Sequence, residues 1–208
     1  EKGAIAKQRA FEERKLSHEG VDQREFVKIP GAPLAYWVPQ DLILAFEKNE
    51  TLDEYADVIH GMTTGRNEIF LRYWPEVGLD KFSTSISSVE EIDKSNFKWV
   101  PYNKGGGYKK WAGNYDFVLA YDEQARSEMS KLSGHRRDGV DYFFREGISW
   151  SDVSSGDFAC RHAPSGFAFD VKGSSAFLED DAELPVVMGF LNSEVSVYTL
   201  YVLNPTMS

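Results

Sequence analysis

The 208-residue sequence predicts an α+β fold, a mixed or antiparallel sheet with flanking helices. Three observations predict it. Segments rich in aromatic and β-branched residues, bounded by Gly, Ser and Asp, read as strands at residues 117–121, 142–145, 158–162 and 167–171. Thr51-Leu52-Asp53-Glu54 has a capping-box pattern, and Leu52, Tyr55, Ala56 and Ile59 are spaced for one buried helical face that stops at Gly61. Val187, Leu191, Val195, Tyr198 and Val202 recur at intervals of four, four, three and four, which predicts a C-terminal helix with one apolar stripe.

The remaining elements follow in order. Residues 1–18 are charged, with Ile5, Phe11 and Leu16 as the large apolar side chains, and predict a solvated connecting helix. Residues 29–33 (IPGAP) are turn-rich, and residues 34–38 are expected to run extended before Pro39. Residues 83–95 and 126–139 are polar and read as surface loops, insertions that divide the chain into three blocks rather than domain linkers. There is no internal repeat.

Composition narrows the class. At 42% apolar and 14% aromatic the chain is long enough for a well-packed domain. Cys160 stands alone and no run of about 18 apolar residues occurs, so a reducing, cytoplasmic setting away from membranes is expected. The sequence starts at Glu1 and stops just after an apolar periodic stretch, which suggests a piece of a longer protein. A net charge of −10 argues against coating nucleic acid by bulk electrostatics but leaves room for a local basic patch. Its main meaning is solubility.

The segment richest in chemistry is residues 98–114, KWVPYNKGGGYKKWAGN. Gly105, Gly106 and Gly107 permit backbone shapes closed to other residues, Lys104, Lys109 and Lys110 bring positive charge, and Trp99, Tyr102, Tyr108 and Trp111 bring flat faces. That combination suits a polyanion with stackable bases. On composition alone a glycine hairpin with solvated lysines and core aromatics fits slightly better. A Walker A loop is excluded because Lys104 precedes the glycines, and the dinucleotide fingerprint fails because Lys110 stands where a third glycine belongs. His18, His60, His135 and His162 lack metal-ligand spacing. Cys160 with His162 reads as a buried cysteine rather than a nucleophile and base, and Asp152, Asp157 and Asp170 read as turn and cap residues.

Several segments in order carry a resemblance: residues 26–38 (FVKIPGAPLAYWV), 61–74 (GMTTGRNEIFLRYW), 98–114, 142–169 (YFFREGISWSDVSSGDFACRHAPSGFAF), 173–177 and 189–206 (GFLNSEVSVYTLYVLNPT). From about Phe26 to its end the chain resembles the PglX-type adenine-specific DNA methyltransferases of BREX phage-defence systems, and more loosely the specificity regions of fused restriction-modification enzymes. One departure is Gly65-Arg66-Asn67, where an acidic residue is expected between glycine and asparagine.

The resemblance implies a larger enzyme whose upstream domain binds S-adenosylmethionine and methylates N6 of a flipped-out adenine. The Asn-Pro-Pro-Tyr motif of that domain is missing here, as is a methyltransferase-type glycine motif, so no catalytic residue and no cofactor is expected within this piece. It implies residues 1–25 as a charged helical lead-in and residues 26–208 as a target-recognition domain acting on double-stranded DNA. The upstream methyltransferase domain and other defence-system proteins are the further partners. The expected contacts are Arg66 and Asn67; Asn103, Lys104, Gly105, Gly106, Gly107, Lys109 and Lys110; and Arg145 and Arg161. Lysines are expected on phosphates and Arg or Asn on base edges, with Arg72, Arg136 and Arg137 as lesser candidates. The alternatives are an interaction platform within a defence complex and, weakest, an independent enzyme using Cys160 or an Asp pair.

Overall fold

The computed structural model describes residues 3–13, 22–152 and 158–204. His18, Asp157, Pro205 and the later part of the predicted lead-in helix lie outside them. The chain divides into two compact units, one comprising residues up to Glu50 together with those from Leu200, the other running from Thr51 to Thr199.

In the first unit, α1 (Ala4–Glu12) leaves Ile5 and Phe11 exposed, as its charged composition predicts. Helix α2 (Gln40–Lys48) buries Ile43 in a small core with Ile29, Ala35, Val38 and Val202, the last from the end of α8 (Glu194–Leu203). Residues 34–38 form no strand. Ala35 and Val38 both point into that core three residues apart, which a turn closed by the Val38 N–H on the Ala35 carbonyl (3.1 Å) achieves and an extended chain does not.

The second unit holds two four-stranded sheets, so the α+β expectation is met. One has the order β1 (Ala56–Ile59), β10 (Ser175–Leu178), β7 (Gly147–Trp150), β8 (Cys160–Ala163), antiparallel throughout. The other has the order β3 (Leu71–Tyr73), β5 (Phe117–Ala120), β4 (Trp99–Asn103), β9 (Ala168–Phe169), with β9 parallel to β4. A short ladder joins β2 (Thr63–Thr64) to β6 (His135–Arg136). Strand β10 shows how the layers stack: Phe177 faces the core of the second sheet, with Val100, Tyr102, Leu119 and Phe169, whereas Ala176 and Leu178 face α7 (Leu184–Leu191).

Four further expectations need correction. The helix predicted after Thr51 lasts one turn, α3 (Leu52–Tyr55), and residues 56–59 become β1. Leu52 and Ala56 pack in one core and Ile59 against the other, a span that extended chain at about 3.3 Å per residue covers and helix at about 1.5 Å does not. Residues 142–145 are not a strand: Phe143 and Phe144 are consecutive yet enter the same core, and Phe144 takes a left-handed φ of 68°. Neither polar stretch is simply loop. α5 (Val89–Lys94) lies in the first, capped by Ser88, and buries Ile92; α6 (Glu123–Met129), capped by Asp122, runs into the second and buries Met129. The C-terminal stripe is split between α7 and α8 because Asn192 leaves the helix to pair with the Cys160 backbone, accepting from its N–H (3.0 Å) and donating to its carbonyl (2.9 Å). α4 (Asn67–Phe70) completes the set, and among the described residues no single helix is long and apolar enough to cross a membrane.

If α5 is part of the core, Ile92→Ala lowers stability by about 2–5 kcal/mol, while Glu90→Ala on its solvent side changes it by about 0.5 kcal/mol or less. Urea unfolding followed by tryptophan fluorescence checks both.

Candidate nucleic-acid interface

The segment joining β9 to β10, residues 170–174, gathers three of the sequence-selected loops. The Asp170 carboxylate is buried and accepts from the Tyr102 hydroxyl (2.9 Å), the Lys104 ammonium (2.6 Å) and the Lys172 N–H (2.9 Å). Burial, then the neighbouring carboxylate, pushes the Tyr102 phenol well above its ordinary value and keeps it a donor. Met62, just before β2, exchanges backbone bonds with the Phe169 carbonyl (3.1 Å) and the Val171 N–H (3.1 Å). Trp150 at the end of β7 donates to the Ser174 carbonyl (3.0 Å).

The glycine loop is shaped by close approach. At Gly105, φ is +81° and a Cβ would stand 2.3 Å from the Lys172 carbonyl oxygen, so only glycine fits. Gly106 also has positive φ, against Asn114, whereas a Cβ at Gly107 would meet open space. The loop's far end docks on β8: Trp111 donates to the Cys160 carbonyl (3.2 Å) and accepts from the His162 N–H (3.0 Å), and the Tyr115 hydroxyl donates to the His162 carbonyl (2.7 Å). Tyr108 and Trp111 are about half exposed.

The predicted contacts thus separate by role. Asn103 and Arg161, expected to face DNA, are interior. Asn103 donates to the Ser149 hydroxyl and accepts from the Gly105 N–H (3.3 Å), and Arg161 Nη2 lies 3.4 Å from both Asn103 Oδ1 and Ser151 Oγ. Arg161 is 1% exposed, its Nε has no hydrogen-bond partner, and burial lowers its pKa. Lys104 neutralises Asp170, and Lys110 donates to the Asn192 carbonyl (3.0 Å) at the end of α7. Lys109 is exposed and, among the described residues, has no ion pair.

Arg145 is at the opposite end of β10 from this cluster. It stacks over Tyr142 and Phe177 and donates to the Leu178 carbonyl (3.4 Å). Arg66 pairs with Glu68 (2.8 Å) at the surface, and Asn67 accepts from the Thr64 hydroxyl (2.7 Å). Arg72 donates to the Leu71 and Glu68 carbonyls at the end of α4, Arg136 is 3.5 Å from Asp138, and Arg137 is exposed. Sequence reasoning missed His60 and Ser174, whose side chains meet 3.0 Å apart although 114 positions separate them.

The rival enzyme reading loses its nucleophile. Cys160 is fully buried, its thiol pushed up to about 12 by burial, and His162 Nε2 turns instead to Glu146 (2.6 Å).

The chain is 40% identical over 193 residues to the adenine-specific methyltransferase PglX of Lacticaseibacillus casei (strain Zhang), 89% of this chain and 16% of that protein. It is 36% identical over 189 residues to the adenine-specific methyltransferase BrxX of Escherichia coli O9:H4 (strain HS), 89% of this chain and 15% of that protein. No family model matches the chain. The resemblance to PglX-type adenine-specific methyltransferases is borne out.

Asp170→Ala, which strands Lys104, Tyr102 and the Lys172 N–H, is expected to cost about 3–5 kcal/mol, against about 0.5 kcal/mol or less for Lys109→Met; chemical denaturation separates the two. Iodoacetamide at mildly alkaline pH is expected to leave native Cys160 unmodified and to label it in denaturant, as read by intact mass.

Proposed function

We propose that this chain, related over 89% of its length to a segment of the PglX and BrxX methyltransferases, is the DNA-recognition part of an adenine-N6 methyltransferase of a BREX phage-defence system. It supplies specificity, and the S-adenosylmethionine-dependent chemistry belongs to a domain elsewhere in the same polypeptide, since the chain has no Asn-Pro-Pro-Tyr. The observation that carries the reading is the glycine loop of residues 103–114. It is clamped from beneath by Asp170 and Asn103, and it leaves Tyr108, Lys109 and Trp111 outward.

An anchored loop presenting a cation between two aromatic faces suits a sugar-phosphate backbone with bases beside it. The buried Asn103 and Arg161 and the half-buried Lys104 position that loop. The exposed Lys109, Arg136, Arg137 and Arg66 make the contacts. A second reading, a platform for other defence proteins, is favoured by exposed Val186 and Phe190 on α7 and Val195 on α8. It requires partners to co-purify with the intact enzyme and to dissociate on Phe190→Asp.

In the intact methyltransferase, Lys109→Glu with Arg137→Glu is expected to weaken duplex binding at least tenfold and to reduce the slope of log affinity against log salt by about 2, roughly one for each phosphate that is no longer neutralised. Fluorescence anisotropy over a salt series checks it. Unchanged affinity and slope would defeat the recognition reading.

A further inference from the structure

A cleft of about 430 Å³ lies where β1 ends, lined by His60 together with Arg136 at the end of β6 and Asp138 just after it, and by Asp152 and Val171. That volume lies within the roughly 300–1,000 Å³ of small-molecule sites. One wall is built by close approach: Gly139 has φ +70°, and a Cβ there would stand 2.6 Å from the His60 carbonyl oxygen. The cleft sits beside the glycine loop, since Val171 and Asp152 flank Lys172, whose carbonyl seats Gly105 and accepts from the Asp152 N–H (3.2 Å).

A relay fixes the imidazole. The Ser174 hydroxyl, 1% exposed, has a single proton, and it donates that proton to the Asp152 carboxylate at 2.8 Å. Its oxygen lies 3.0 Å from His60 Nδ1 and is left only as an acceptor, so Nδ1 carries the hydrogen. The neutral imidazole of His60 in this tautomer presents Nε2 as an acceptor, and among the described residues that atom has no partner. Arg136 stands in the same cleft with its guanidinium 3.5 Å from Asp138 and largely exposed, leaving donors available. Lys172 lies 3.9 Å from Asp152 with its ammonium in solvent.

An acceptor held in one tautomer beside a donor fork matches a base edge that offers an amino hydrogen next to an acceptor: adenine through N6 and N7, or cytosine N4 beside a guanine. Resting on the recognition reading above, we propose that His60 is a specificity-determining residue that accepts a hydrogen bond from the amino group of one base of the recognised duplex. Asp152 and Ser174 are positioning residues that set its tautomer.

The test pairs protein and DNA changes in the intact methyltransferase. Each adenine and each cytosine of its methylated motif, on both strands, is replaced in turn by the analogue lacking the amino group, purine for adenine and 2-pyrimidinone for cytosine, and duplex affinity is measured for wild type and His60→Ala. The expected result is one position at which the analogue costs wild type about tenfold and costs the variant nothing, with non-specific affinity and salt slope alike in both proteins. A merely structural histidine would not produce coupling confined to one base. Equal analogue losses in both proteins at every position would overturn the assignment of His60. If, in addition, the Lys109→Glu and Arg137→Glu protein binds as wild type does, the recognition reading falls with it; if that protein is weakened, the reading stands and only His60 is wrong.

Discussion

A buried carboxylate is tolerated only where donors surround it, and the Asp170 carboxylate imposes that requirement on the whole second unit. Its three donors come from β4 (Tyr102), the glycine loop (Lys104) and its own turn (Lys172). Satisfying them fixes the 170–174 connection. That connection is the hinge of the architecture, because it carries the chain from β9 in one sheet to β10 in the other. Its backbone meanwhile serves the neighbours: Val171 takes Met62, Lys172 takes Asp152 and Ser174 takes Trp150. The glycine loop is thus seated by one ionic site together with its own glycines.

Arg161 is the complementary case. Its guanidinium is as buried as the Asp170 carboxylate, yet among the described residues it has no acid, only two long contacts to Asn103 and Ser151 and an Nε without a partner. A guanidinium stays charged even where burial lowers its pKa, so a positive charge persists beneath the glycine loop. In a chain of net charge −10, that matters. Lys104 contributes little field at the loop because Asp170 cancels it at 2.6 Å, whereas Arg161 is uncancelled and poorly screened.

The legible parts of the fold are those with a local signal: the apolar run of residues 117–120, the charged α1, and the glycine-rich loop, whose glycines at 105 and 106 do take conformations other residues avoid. Errors arose where a local pattern was overruled by pairing at a distance. Ala56 and Ile59 fit a helical stripe, but Leu178 and Ser175 of β10 offered a ladder. Ser88-x-x-Glu91 is a capping pattern inside a stretch read as loop, and its overall polarity hid it. In the site, residue type told which side chains had the right chemistry but not which were interior. Lys104 and Lys109 are indistinguishable in composition; only the three-dimensional position of Asp170, 66 residues on, makes one a structural cation and leaves the other free. The pairing of His60 with Ser174 has no sequence signature at all.

This division of labour bears on affinity. Of the three lysines in the glycine loop, Lys104 is held by Asp170 and Lys110 by the Asn192 carbonyl, so Lys109 is the one left to a phosphate; Arg66 and Arg136 each share charge with a neighbouring acid. On the recognition reading, this segment neutralises few phosphates, and the salt-dependent part of binding, which scales with their number, is correspondingly small. Discrimination then rests on a small number of rigidly held groups, because a base-edge contact is worth most when neither partner must be ordered to make it. On that reading, a segment that is acidic overall, with its glycine loop anchored by Asp170, leaves most of the grip on DNA to other parts of the polypeptide. The chain spans 15–16% of the length of the relatives it matches.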